Sequence, residues 1–180
     1  AGDLRKLHSG DGRQRQRCLR DRNKVLEETN HATDLTLLVR LAVSNEGAVF
    51  SLAGKFGVPA FDAAELIRAC RAHANELGVS FHVGSQCLDP DAFRVAMELA
   101  VKVADKAGVP LEYLDVGGGF PAIYKMNLPP LRDYFEVIEK AKADLGIGVP
   151  LLAEPGRALV ADGCSVLTQV HLRKGDDLYI

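Results

Sequence analysis

Residues 111–121 read "LEYLDVGGGFP". An apolar run of strand length ends on three bare glycines, and no helix opens directly after them. The next helical pattern starts at 131, beyond "AIYKMNLPP". That gap excludes the dinucleotide-binding reading of a glycine-rich loop, in which the glycines lead straight into a helix. What remains is a strand whose C-terminal end needs bare backbone, for a tight turn or for the close approach of a ligand. Two other stretches share the design. "VSFHVGSQ" (79–86) and "VPLLAEPGR" (149–157) also run from an apolar strand into a polar or glycine-bearing cluster.

Helical patterns lie between these strands. In 61–77, Ala63, Leu66, Ile67, Cys70, Ala74 and Leu77 recur at three- and four-residue spacing, with Asp62 and Glu65 as a capping box and Gly78 as the stop. A second helix is capped by Asp89, has Pro90 at its first position, buries Phe93, Ala96, Met97, Ala100 and Ala104, and stops at Gly108. A third, 131–145, turns Leu131, Tyr134, Phe135, Ile138 and Leu145 inward. "LTLLVRLAV" (35–43) reads as a buried strand, and 164–180 has β character without a helical period. The order β-α-β-α-β-α-β-β implies an α/β protein with a parallel sheet, either doubly wound or a (β/α)8 barrel. Strand starts near 79, 112 and 150 are spaced like barrel units, and four such units make roughly half of a barrel of about 250 residues. The expected fold is therefore α/β, a partial (β/α)8 TIM-type barrel comprising about its second half.

Composition sets further bounds. The 180 residues suffice for one domain or part of a larger one, with 47% apolar and 26% charged residues, as in ordinary globular proteins. A net charge of −2 gives no electrostatic argument for nucleic acid or an anionic membrane. No apolar run reaches 18 residues, and no signal peptide is visible. Cys18, Cys70, Cys87 and Cys164 are scattered without a CxxC, so reduced thiols in a cytoplasmic protein are expected, and no metal site. Eight of the first 24 residues are Lys or Arg, which reads as a phosphate-binding arm or as a poorly ordered, non-native leader. The start on Ala and the end on the strand-like "GDDLYI" suggest a fragment. The expected organisation is a basic leader over 1–33, a partial barrel over 34–163 and an exit strand over 164–180.

In a parallel barrel the C-terminal strand ends form the active-site face, and all three clusters fall there. Each alone has a plainer account: His82 as a satisfied core histidine, the glycines as a tight turn, Glu154 with Arg157 as a local salt bridge. Together they suggest a site. Consecutive glycines expose backbone N–H groups suited to phosphate oxygens, Arg157 adds a planar cationic donor, and Ser85 adds a hydroxyl. A carboxylate beside a phosphate must serve another part of the ligand, and a ring nitrogen that stays protonated fits Glu154. His82 offers a flat face for that ring. These features together describe pyridoxal 5'-phosphate.

At these residues the sequence resembles the ornithine/diaminopimelate/arginine decarboxylases, pyridoxal-phosphate enzymes of the group IV, alanine-racemase-like fold. The resemblance covers about 35–180. It rests on "KFG" (55–57), "HVGSQ" (82–86), "GGGFP" (117–121), "EPGRALVADG" (154–163) and "LRKGDDLYI" (172–180), in the family's order. The set is specific for the family and less so for ornithine. The resemblance implies that His82 stacks on the cofactor ring and that Ser85, Gly118, Gly119 and Arg157 hold its phosphate, with Gly117 and Gly156 shaping the loops. It further implies that Glu154 pairs with the pyridine nitrogen, that Arg40 lies near the cofactor and that Lys55 lies at a homodimer interface. Asp115 is expected to be structural, and His82 and Glu154 are the expected catalytic residues. The implied reaction is decarboxylation of a small amino acid, ornithine to putrescine, with diaminopimelate or lysine as alternative substrates. Residues 172–180 match the strand that leads into the family's C-terminal β-domain. The family's Schiff-base lysine, on an early strand, has no counterpart here, and residues 1–30 do not resemble the family. The isolated chain is accordingly expected to be inactive, and a non-catalytic homologue acting as a binding or regulatory protein is the other reading.

Overall fold

The computed structural model describes residues 22–52, 54–124, 128–163 and 165–180. The expectations for residues 1–21, including the basic leader's first part and Cys18, and those for Lys125 and Cys164 lie outside the described residues. Helix α1 spans 22–28, and Leu26 on it is buried. These residues fall within the segment expected as a basic leader. Leu26 lines a small cavity together with Ala72 and Ala74.

Four short strands carry the fold. β1 (Thr36–Arg40), β3 (Glu76–Ser80), β5 (Tyr113–Asp115) and β6 (Leu151–Leu152) form a parallel sheet in the order β1-β3-β5-β6. β2 (Ala48–Phe50) and β4 (Ser85–Cys87) make a separate antiparallel pair, and β7 (Leu172–Lys174) and β8 (Asp177–Tyr179) make another. The parallel sheet with intervening helices is the expected α/β architecture. Among the described residues the sheet is open, with β1 and β6 at its edges. Within the segment expected as an exit strand, β7 and β8 form an exposed hairpin, with Gly175 at φ +63° in its turn.

Helices α2 (Ala60–Arg71), α3 (Asp91–Ala107) and α4 (Leu131–Asp144) bury one face of this sheet. Val39, Val79, Phe81, Leu114 and Val116 from the strands join Ile67, Phe93, Met97 and Ile138 from the helices in one core. Helix α3 meets its sequence signals in part: it stops at the expected Gly108, but it starts at Asp91 with Pro90, not Asp89, as its N-cap and no side-chain cap bond. Asp89 Oδ1 accepts the Asp91 N–H at 3.0 Å, and Gly108 closes the helix at φ +64°. Helix α2 departs from them. It ends at Arg71 rather than Leu77, its N-cap is Pro59, and that N-cap makes no side-chain cap bond. Residues 76–78 belong to β3, where Leu77 and Val79 satisfy the two-residue period of a strand as well as the helical one. Gly78 is thus a mid-strand glycine and not a helix stop. A Cβ there would meet Leu38 Cδ2 and the Tyr113 carbonyl at 2.8 Å each. On α4, Phe135 is largely exposed instead of inward, although its ring stacks on Phe120 at 5.4 Å.

Candidate functional site

Register brings the three clusters to one level. Arg40, Ser80, Asp115 and Leu152 form a single row across the parallel sheet. Two residues beyond that row stand His82, Gly117 and Glu154. The extension is bonded: Phe81 N–H donates to Asp115 O at 3.1 Å, Val116 N–H to Leu152 O at 2.9 Å and Glu154 N–H to Gly117 O at 2.8 Å. Phe81 and Val83 are fully buried in the core, so the pleat turns His82 between them away from the helices.

The glycines are demanded by these loops, and Gly117 and Gly118 are buried. Gly117 has φ +68°, and a Cβ on it would stand 1.9 Å from Phe81 O. A Cβ on Gly118 would stand 2.7 Å from Glu154 O and 3.0 Å from His82 Nε2. One on Gly119, at φ +110°, would stand 2.5 Å from Gly84 O. Asp115, expected to be structural, is buried and accepts the Gly117 N–H on Oδ1 at 2.8 Å. Phe120 anchors the loop by stacking on Phe93 at 4.8 Å, with Tyr134 edge-on at 6.2 Å. Tyr134 in turn donates its hydroxyl to Cys87 O at 2.7 Å, and burial pushes its pKa up to about 12. Gly156, the first residue of α5 (Gly156–Val160), has open space where a Cβ would stand.

His82 is held by its own loop. Gly84 N–H donates to His82 Nδ1 at 3.0 Å, which leaves the proton of the neutral ring on Nε2. Burial holds the His82 pKa below its ordinary value. The Arg40 charge lowers it further, and Asp115 opposes both. Arg40 itself lies over the Phe56 ring at 5.0 Å.

Arg157 links two rims. Its Nη1 donates to Tyr124 OH at 3.0 Å and its Nη2 to Ser85 Oγ at 3.3 Å. Among the described residues the Arg157 guanidinium is directed to these two hydroxyls and forms no ion pair with Glu154. The structure thus brings His82, Ser85, Gly117–Gly119, Glu154 and Arg157 to one rim. Arg40 stands at the end of β1 on the same edge. Lys55 lies in an exposed turn, its N–H donating to Leu52 O at 3.3 Å.

Sequence reasoning missed three residues. Asn45 is buried, donates Nδ2 to His82 O at 3.1 Å and accepts the Leu52 N–H at 2.7 Å. Tyr124 and Gln86 tie the loops together. Only Gln86 carried a signal, as the residue after "HVGS" that is neither small nor charged. Asn45 and Tyr124 act through contacts 37 and 33 residues away, which no local pattern encodes.

The family model described as the pyridoxal-binding domain of pyridoxal-dependent decarboxylases matches residues 19–161. The match begins within the segment expected not to resemble the family and so corrects that expectation from 19 onward. The chain is 36% identical over 156 residues to an ornithine decarboxylase of Panagrellus redivivus, covering 78% of this chain and 34% of that protein. It is 36% identical over 139 residues to a lysine/ornithine decarboxylase of Selenomonas ruminantium, covering 74% and 35%. Among solved structures, the lysine decarboxylase of Selenomonas ruminantium superposes with a TM-score of 0.66 at 33% identity, over 77% of this chain and 37% of that one. A diaminopimelate decarboxylase of Helicobacter pylori superposes with a TM-score of 0.61 at 26% identity, over 70% and 34%. The chain spans about a third of the length of the curated relatives it matches.

Proposed function

The chain belongs to the pyridoxal-dependent decarboxylases, and on that premise we propose that it is the cofactor-binding segment of an ornithine decarboxylase that yields putrescine and CO2. The observation that carries the reading is the Arg157 fork, set between Ser85 and Tyr124 beside the glycine loop. That donor set fits a phosphate ester: a permanently charged planar cation, two hydroxyls and bare backbone, with open space at Gly156. A neutral His82 ring suits stacking against a cationic heteroaromatic ring, and the exposed Glu154 carboxylate suits that ring's N–H.

Bound pyridoxal phosphate supplies an electron sink for the charge that develops at Cα as CO2 departs. The chain's own residues position and protonate. Glu154 holds the proton on the pyridine nitrogen. His82 would limit tilt of the ring, and burial, reinforced by the Arg40 charge, lowers the His82 pKa and so favours its neutral form. Arg157, Ser85, Tyr124, Gly118 and Gly119 fix the phosphate, so that orientation is settled before reaction. The described lysines lie on helices, in turns or on β7, and none lies on β1, β3, β5 or β6. We therefore read the described residues as holding the cofactor without a covalent bond.

The ornithine assignment is supported by the resemblance of its motifs and by the ornithine decarboxylases among its relatives. The lysine/ornithine relative makes lysine the substrate to test beside it. We read the open sheet as about half of a (β/α)8 barrel, Lys55 as facing a second subunit of a homodimer, residues 164–180 as the way into a C-terminal β-domain, and the protein as cytoplasmic. Titration with pyridoxal phosphate and with pyridoxal tests the site. The phosphate ester should bind about tenfold more tightly or better, and Arg157→Met should abolish that preference. Equal affinity for the two ligands in the parent protein would overturn the reading.

A further inference from the structure

We propose that Gln86 is a positioning residue for the phosphate cradle. Its side-chain amide locks the loop after β5 to the loop after β3, so that Tyr124 and Ser85 meet Arg157 from two sides. The inference rests on the phosphate reading above and adds a residue to it.

Gln86 has φ +55°, a left-handed conformation that L side chains rarely adopt. It is 3% exposed. A strained, buried amide persists only where its surroundings over-determine it. Here both ends of the amide are taken by one residue of the other loop. Oε1 accepts the Ala122 N–H at 2.6 Å, and Nε2 donates to Ala122 O at 3.0 Å. The side chain thereby copies a backbone peptide. The next residue continues the pattern, with Cys87 N–H donating to Gly119 O at 2.8 Å. Three bonds form a short ladder between 86–87 and 119–122, although the strand partner of β4 is β2. Glutamine suits this place because it offers a donor and an acceptor at that reach. Asparagine is one methylene short, and glutamate lacks the donor.

The position of the clamp gives it a role beyond packing. Ser85 immediately precedes Gln86, and Tyr124 stands two residues beyond Ala122. The clamp fixes the spacing of the two hydroxyls that Arg157 bridges at 3.3 and 3.0 Å. Without it the two loops would be joined there by the Cys87–Gly119 backbone bond alone, and the guanidinium would lose one of its guides.

The test compares pyridoxal phosphate with pyridoxal in the parent protein and in Gln86→Gly, since glycine accepts the backbone conformation and removes only the clamp. Affinity for pyridoxal phosphate should fall about tenfold while affinity for pyridoxal stays within about twofold. Tyr124→Phe should lower the same preference, and adding it to Gln86→Gly should cost little more, because the clamp acts through Tyr124. Should Gln86→Gly not fold, Gln86→Asn gives the same comparison. Equal weakening of both ligands would reduce Gln86 to a folding residue, and an unchanged preference would detach it from the cradle; either result overturns the proposal. A parent protein with no preference at all would instead strike the phosphate reading.

Discussion

His82 illustrates how a single residue is set by its neighbours. Its Nδ1 is occupied by the Gly84 N–H, its backbone carbonyl by Asn45, and Arg40 adds positive charge nearby. The first and third disfavour a second ring proton, the Asn45 bond fixes the backbone that carries the ring, and a neutral ring is the form suited to stacking on a cation. The consequence for stability has a definite sign. The folded pKa lies below the unfolded value of about 6.5, so the unfolded chain binds more protons in the window just below that pH. The His82 contribution is complete above 6.5 and is lost as pH falls through the folded pKa. Nuclear magnetic resonance of the ring protons should show His82 titrating below 6.5, and Arg40→Met should move it upward by removing the second-largest cause. An unmoved or lowered titration in that variant would show that Arg40 does not govern the ring.

The rim loops are the elements in which packing and binding are hardest to separate, and their glycines provide the means. Gly117→Ala puts a Cβ 1.9 Å from Phe81 O at a positive φ. It should lower folding stability by about 3 kcal/mol or more. Gly156→Ala meets nothing within 4 Å and lies in a helix, so its stability should stay within about 0.5 kcal/mol of the parent. If phosphate occupies that space, Gly156→Ala should weaken pyridoxal phosphate binding nonetheless. Denaturant melts beside cofactor titrations distinguish the two, and a stable Gly117→Ala variant would refute the packing account. The same loops show what a sequence discloses. Strand ends carrying "HVGSQ", "GGGFP" and "EPGR" were legible because apolar runs stop where polar residues start, and α3 was legible because Asp89 and Gly108 punctuate it. The end of α2 was not, since Ala74 and Leu77 suit a helix while Leu77 and Val79 suit a strand. The β2–β4 pair and the Gln86 clamp were also hidden, because both depend on partners distant in the chain.

At the scale of the whole chain, one face of the parallel sheet is buried by helices and the other is not. Leu38 on β1 and Leu152 on β6 are 40% and 41% exposed, and Leu159 on α5 is 72% exposed. On the barrel reading these are the places that further strands would cover. Two consequences follow for the 180-residue chain in isolation. Without a lysine on the parallel strands, it should release no more CO2 from ornithine or lysine than free pyridoxal phosphate does; turnover above that background would show that another residue of the chain replaces the lysine. It should also self-associate. The edge of β6, and the edge of β1 short of its end, where Arg40 O accepts the Val58 N–H, lie beside exposed leucines and invite pairing with other chains, and a net charge of −2 supplies little repulsion. Size-exclusion chromatography with light scattering should show a mass that rises with concentration. Leu152→Lys, a charge on the β6 edge, should shift the distribution toward monomer without loss of the buried core, because the side chain it replaces points to solvent. A sharp monomer with a cooperative melt in the parent chain would mean that the open edges are already satisfied, and would count against reading this sheet as about half of a barrel.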